Sequence, residues 1–135
     1  MCKVLVCGGR DFKNTAHVYD WLDKIHHKFQ ISELIEGDGR GVDRMAGFWA
    51  RKNRIKNSKF PADWDNLEVP NAVVRKNRFG KLYNANAGFD RNTKMVEQNP
   101  HYVICFPGGN GTADTRTKAL AKGIEVIDIP QPIMV

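Results

Sequence analysis

The chain has 135 residues, 41% of them hydrophobic and 27% charged, with a formal net charge of +6. That length supports one hydrophobic core rather than two, and no apolar stretch approaches the ~20 residues a membrane-crossing helix needs. The basic excess favours anionic partners such as nucleotides, nucleic acid or phosphorylated metabolites.

Taken in order, residues 3–7 ("KVLVC") are a continuous apolar run that reads as a strand buried on both faces. A "GGRDF" turn follows. From Asn14 the period becomes helical, with Val18, Leu22, Ile25 and Phe29 on one stripe and Asn14 or Thr15 as the cap. A second strand, "ELIE" (33–36), runs into "GDGRG", and a second helix begins near Val42 with Met45, Ala46 and Trp49 on one face. "SKFPADW" (58–64) is a short third strand broken by Pro61, and residues 65–88 read as a long irregular excursion. Asp90 is the expected cap of a short helix through Met95 and Val96, ended by Asn99-Pro100. "YVICF" (102–106) is the fourth strand, "ADTRTKALAK" the next helix, stopped by Gly123, and "IEVIDI" (124–129) the fifth strand. Strands alternating with helices predict a Rossmann-like α/β sandwich around a mostly parallel five-stranded sheet, with residues 1–135 as a single domain.

The three cysteines (Cys2, Cys7, Cys105) are odd in number and far apart in sequence, as expected of reduced thiols. The four histidines show no ligand spacing with them, so neither a metal nor a cofactor is expected. "MCKVLVCGG" lacks the apolar region and cleavage site of a secretory signal, so a cytoplasmic location without membrane attachment is the expectation. Nine of the 21 basic residues fall in "RKNRIKNSK" (51–59) and "RKNRFGK" (75–81), which read either as solvated faces or as nucleic-acid contacts.

In a parallel α/β sheet, ligands bind beyond the carboxyl ends of the strands. Three glycine-rich segments follow strands directly: "GGRD" (8–11), "GDGRGVD" (37–43) and "PGGNGT" (107–112). In the last, glycines admit close backbone approach, and the helix that follows offers free N–H groups and a positive dipole end, which suits a phosphate. Thr112 either caps that helix or donates its hydroxyl to a phosphate. Asp43 either complements its helix dipole or accepts a hydrogen bond from a ribose hydroxyl. Arg10 and Asp11 either pair with each other or face the ligand. Arg91 and Asn92 meet a phosphate or base if the excursion folds over the strand ends. Neither G-x-G-x-x-G before the first helix nor the P-loop pattern is present. The candidate ligand-binding residues are Gly8, Gly9, Arg10, Asp11, Gly37, Arg40, Gly41, Asp43, Arg91, Asn92, Pro107, Gly108, Gly109, Asn110, Gly111 and Thr112.

"VLVCGGRDF", "IEGDGRGVDRMA", "FPADW", "GKLYNANAGFDRNTKM" and "FPGGNGTAD", in that order, resemble the YspA-like branch of the SLOG superfamily, common in bacteria and their phages. The resemblance runs from residue 4 to about residue 127. It implies a Rossmann-like domain that binds a nucleotide or nucleotide-derived ligand. The superfamily includes DNA-processing recombination mediators and LOG-type phosphoribohydrolases, which cleave the N-glycosidic bond of nucleoside monophosphates and often form dimers. Their signature pairs an arginine with PGGxGTxxE. Arg91 matches the arginine, while Gly108, Gly109, Gly111 and Thr112 match the phosphate cradle. The glutamate position holds Thr115, with Asp114 one residue earlier, so Arg91 and Asp114 are the candidate catalytic pair.

The expected function is therefore binding of a nucleotide-derived small molecule, as a sensor or sequestering protein. The alternatives are hydrolysis of an N-glycosidic or phosphate–ribose bond with Asp114 or Asp43 as the acid, and single-stranded nucleic-acid binding on the basic clusters with Phe60, Trp64, Phe79 and Tyr83. Phe48 and Trp49 are adjacent and cannot both pack on one sheet face, which leaves a surface for a homodimer.

Overall fold

The computed structural model describes residues 2–133. Its elements are β1 (Cys2–Cys7), α1 (Thr15–Phe29), β2 (Ile31–Glu36), α2 (Val42–Lys52), β3 (Lys56–Lys59), β4 (Val74–Lys76), β5 (Leu82–Asn84), α3 (Ala87–Val96), β6 (Tyr102–Cys105), α4 (Asn110–Ala121) and β7 (Glu125–Asp128). Five strands form one parallel sheet in the order β3-β2-β1-β6-β7, and β4 and β5 form a separate antiparallel hairpin.

Side chains of β1 alternate between two cores, as period-2 geometry requires. Val4 and Val6 face α1 and α2, where they pack with Val18, Leu22, Trp49 and Ile104. Leu5 and Cys7 face the opposite layer with Ile35, Met95, Val96, Val103 and Ala119. Burying each of the larger aliphatic side chains contributes roughly 1.5–3 kcal/mol. Trp49 is fully buried and its indole N–H donates to Asp23 Oδ1 at 2.8 Å, tying α2 to α1. Its neighbour Phe48 is 63% exposed, with the Arg51 guanidinium 5.0 Å over its ring.

The helical stripe of α1 is the one its spacing predicts, and Asn14 caps it by accepting from the His17 N–H at 3.0 Å. Other expectations shift. The third strand is Lys56–Lys59, earlier than 58–64, because Pro61 has no N–H to give the ladder and pairing with Glu33–Glu36 ends before it. α3 starts at Ala87, and Asp90 does not cap it; its carboxylate accepts instead from Asn71 Nδ2 at 2.7 Å. The excursion 65–88 contains the β4–β5 hairpin. Asn77 Oδ1 accepts from the Phe79 and Lys81 N–H groups at 2.9 and 3.0 Å and closes its turn. No helix among the described residues is long and apolar enough to cross a membrane.

Strand order reverses between β1 and β6, since the chain leaves β1 toward β2 and returns on its other side. Beyond the carboxyl ends of these two strands the ladder continues into the loops: Phe106 N–H donates to Cys7 O and Gly9 N–H to Pro107 O, both at 2.9 Å. The turn before α2 docks on this junction. Gly41 has φ +80°, and a Cβ there would lie 2.3 Å from Gly9 O. Gly80, at φ +82°, has nothing within 4 Å of the same position. Gly80→Ala is therefore expected to cost about 1 kcal/mol from backbone strain alone, and Gly41→Ala roughly 2–5 kcal/mol from strain and overlap together. Denaturant unfolding of both variants measures the gap.

Candidate ligand-binding cleft

The carboxyl ends of β1 and β6 open into a cleft of about 630 Å³. Its floor comes from Gly8, Gly9 and Cys7 after β1, and one wall is the loop and first turn of α4, Pro107 to Thr112. The opposite side holds Arg10, Asp11, Phe12 and Trp64, and α3 closes it with Phe89, Arg91 and Asn92. Asp43 reaches in from the first turn of α2. Thirteen of the sixteen candidate ligand-binding residues thus meet in one place.

The structure does not bring the other three to the cleft lining. Arg40 turns outward and pairs with Asp11 at 3.0 Å, on side chains 67% and 87% exposed, so Asp11 pairs with Arg40 and not with its neighbour Arg10. Gly41 is consumed in packing against Gly9 and Arg10. Gly37 offers its carbonyl to Arg91 Nη1.

Arg91 is held by three contacts: Nη1 donates to Gly37 O and, at 3.4 Å, to Phe60 O, and Nε donates to Asn92 Oδ1 at 2.9 Å. Nη2 has no protein partner among the described residues. Burial presses the guanidinium down from its usual range and the nearby Asp43 carboxylate opposes that shift. Arg10 lies 5.2 Å over the Trp64 ring. The cleft therefore holds two cations, one fixed and one stacked, beside an aromatic wall.

Asp114 is not part of the lining. Its Oδ2 accepts from Lys118 Nζ at 2.7 Å and from Asn92 Nδ2 at 3.1 Å, so its charge is spent between α3 and α4. One residue further on, ~100° around the helix, Thr115 does line the cleft, buried, with its hydroxyl donating to Gly111 O at 3.2 Å. The position of the LOG-type glutamate faces the cleft and carries no charge. The candidate catalytic pair is thereby separated: Arg91 is in the cleft and Asp114 is outside it.

The glycines of the α4 loop divide into two kinds. A Cβ on Gly108 would meet Thr112 Oγ1 at 2.2 Å and Gly9 N at 2.8 Å, so the fold itself requires glycine there. On Gly109 or Gly111 a Cβ would meet nothing within 4 Å. No side chain caps α4, whereas α1 has its Asn14 cap, so the first N–H groups of α4 face open space at the cleft.

Phe12, Trp64, Phe89 and Gln131 also line the cleft. Trp64, expected from the sequence as one of the aromatics beside the basic clusters, has its direction set by the hairpin, whose Asn84 N–H donates to Trp64 O at 2.7 Å. The sheet register also brings two thiols together that are 98 residues apart: Cys7 and Cys105 are direct cross-strand partners, with sulfurs 3.4 Å apart. The hydrogen bond to Cys105, together with burial, raises the Cys7 thiol well above its usual range.

A parallel α/β sheet with its cleft at the point of strand reversal defines a Rossmann-like protein. The family described as "YspA, cpYpsA-related SLOG family" (YAcAr) matches residues 2–66, β1 through Asn66, and over that stretch, just under half of its length, the chain is similar to that family. No curated protein matches the chain in sequence. Among solved structures, DNA processing protein A (DprA) of Streptococcus pneumoniae is similar with a TM-score of 0.68 at 19% identity, over 99% of this chain and 52% of that one. DNA processing protein A of Helicobacter pylori, whose structure is described for its single-stranded DNA binding mode, is similar with a TM-score of 0.68 at 17% identity, over 98% and 66%. The chain thus spans about half to two thirds of the length of these proteins, and the likeness is one of fold.

Burial lifts the Asp43 carboxyl to about 6, against the hydrogen bond that its Oδ2 accepts from the Gly39 N–H at 3.1 Å and the pull of Arg91. A carboxyl raised by folding holds its proton longer in the folded state, so it contributes stability at low pH that is lost as pH rises from about 4 to 6. Asp43→Asn is expected to match the wild type near pH 4 and to exceed it by on the order of 2 kcal/mol at pH 7. Glu36, buried and also lifted by burial, adds the same trend to both proteins. Urea unfolding across that pH range measures it.

Proposed function

We propose that residues 1–135 act as one nucleotide-binding domain, with a nucleotide or nucleotide-derived ligand in the cleft and its phosphate at the Pro107–Thr112 turn. The observation that carries this reading is the pair Gly109 and Gly111. Neither needs to be glycine for packing, and Gly111, inside α4, costs up to about 1 kcal/mol relative to alanine. Their bareness leaves room for a phosphate against the unpaired N–H groups at the start of α4. Arg91 Nη2 and Arg10 supply positive charge, and Trp64, Phe12 and Phe89 supply apolar faces for a base. A volume near 630 Å³ lies within the range of small-molecule sites.

The same geometry supports binding over LOG-type hydrolysis. That reaction needs an acid at the position of Thr115, and the neighbouring Asp114 is engaged by Lys118 and Asn92. Among the described residues the cleft lining holds two carboxyls, the exposed Asp11 and the half-buried Asp43, so Asp43 is the residue to replace should hydrolysis be observed.

Calorimetric titration with AMP, GMP, ADP-ribose and cyclic nucleotides is expected to give at least one ligand with a Kd well below 1 mM, or about −4 kcal/mol. Gly111→Ala is expected to weaken that ligand about tenfold while leaving the melting temperature unchanged or raised. Absence of binding across the panel, or an unchanged Kd in the variant, would refute the cleft reading. Mass spectrometry of the same mixtures is expected to return every ligand intact.

A further inference from the structure

The β4–β5 hairpin adds nothing to either core, yet it is closed by an ordered turn and carries an unusual surface. Residues 74–84 contain Arg75, Lys76, Arg78 and Lys81 and no carboxylate. Lys81 pairs with Asp65 at 3.2 Å, but Arg75, Lys76 and Arg78 have no acidic partner among the described residues. At the tip Phe79 is 80% exposed, with the Arg78 guanidinium 4.8 Å over its ring.

This surface is continuous with the cleft. Arg75 and Tyr83 are cross-strand partners and share one face of the hairpin. Tyr83 packs edge-on against Trp64, with ring centroids 6.4 Å apart, and Trp64 is the cleft wall under Arg10. Cations and aromatic rings therefore mark the way from inside the cleft to the hairpin tip: Arg10 and Trp64, then Tyr83 and Arg75, then Arg78 and Phe79. Unpaired bases stack on aromatic rings while cations follow the phosphates between them. A duplex, with its bases already stacked, has no use for exposed rings.

We propose that the hairpin is a docking track for single-stranded nucleic acid, with one nucleotide of the strand seated in the cleft and the adjoining ones running outward over Tyr83, Arg75 and Phe79. This rests on the reading of the cleft as a nucleotide site and extends the ligand from a mononucleotide to a strand. A basic, aromatic tip also suits an anionic lipid surface. The rings and cations that lead from the hairpin into the cleft favour the polynucleotide.

The test compares AMP, measured by calorimetry, with 3′-labelled single-stranded 12-mers of DNA and RNA, measured by fluorescence anisotropy. The 12-mers are expected to bind at least tenfold more tightly than AMP, with an affinity that falls as about the second power of salt concentration for three phosphate contacts. Replacing Arg75, Lys76 and Arg78 together by Ala is expected to bring the 12-mer affinity down to that of AMP and flatten the salt dependence, with AMP binding unchanged. Phe79→Ala, on an exposed side chain that no fold contact requires, is expected to weaken the 12-mer about tenfold and AMP not at all. AMP binding with no gain for the 12-mers overturns the track and leaves the cleft reading intact. Strands that bind while AMP does not, with no loss on Gly111→Ala, overturn the cleft reading and this inference with it. Retention on phosphatidylserine vesicles with the 12-mers unbound overturns the track in favour of lipid.

Discussion

The pairing of β1 with β6 is the contact on which the cleft depends. These strands are separated by more than ninety residues, and their ladder runs from Val4 opposite Tyr102 to Cys7 opposite Cys105. It then continues past the strand ends through Phe106 and Gly9. That extension lays the loop after β1 directly against the loop before α4. Without it the glycines of the two loops would be ordinary turns on separate parts of the surface. The residues are long-range neighbours because the strand order reverses here, and the helices on either side open away from the reversal.

Around that junction, polar contacts fix what the apolar core cannot. Arg91 sits on α3 but holds backbone carbonyls after β2 and β3, so a helix that packs mainly on α4 is also anchored to the far half of the sheet. Asn92 works in the other direction, donating to Gly111 O and Asp114 on α4. Two adjacent residues thereby brace α3 between the two halves of the cleft. Glu36 does a similar task deeper down: its carboxylate accepts from the Asp38 N–H and from Asn57, so a buried charge at the end of β2 is met by hydrogen bonds.

Much of this was legible in the sequence, because its signals are local. Four strands show as short apolar runs, α1 as an apolar stripe behind an Asn cap, and the cleft as glycine turns that each follow a strand, whereas β3 (KNSK) has no apolar residue to mark it. What escaped depends on partners far along the chain. The hairpin was hidden because its strands are only three residues long and neither buries an apolar face. Trp64 and Phe12 carry no local mark of facing a ligand, and they become cleft walls only through the hairpin and the β1 loop. Arg40 looked like an anion contact, but Asp11, 29 residues away, takes it. Asp114 was the acid next to the right position, and one residue on a helix is enough to send it to Lys118 and Asn92. Cys7 and Cys105 looked unrelated until the sheet register made them neighbours.

That thiol pair has a practical consequence. All three cysteines of the chain are buried, and Cys7, part of the floor of the cleft, has Cys105 against it. At 6% and 4% exposure neither thiol gives a reagent room to attack until the layer over β1 and β6 opens, although Cys7 borders the cleft. The rate of alkylation at these two positions therefore counts excursions of the sheet's centre, much as amide exchange would. The protein carries, without any added probe, a clock for the breathing of the ground on which its cleft is built.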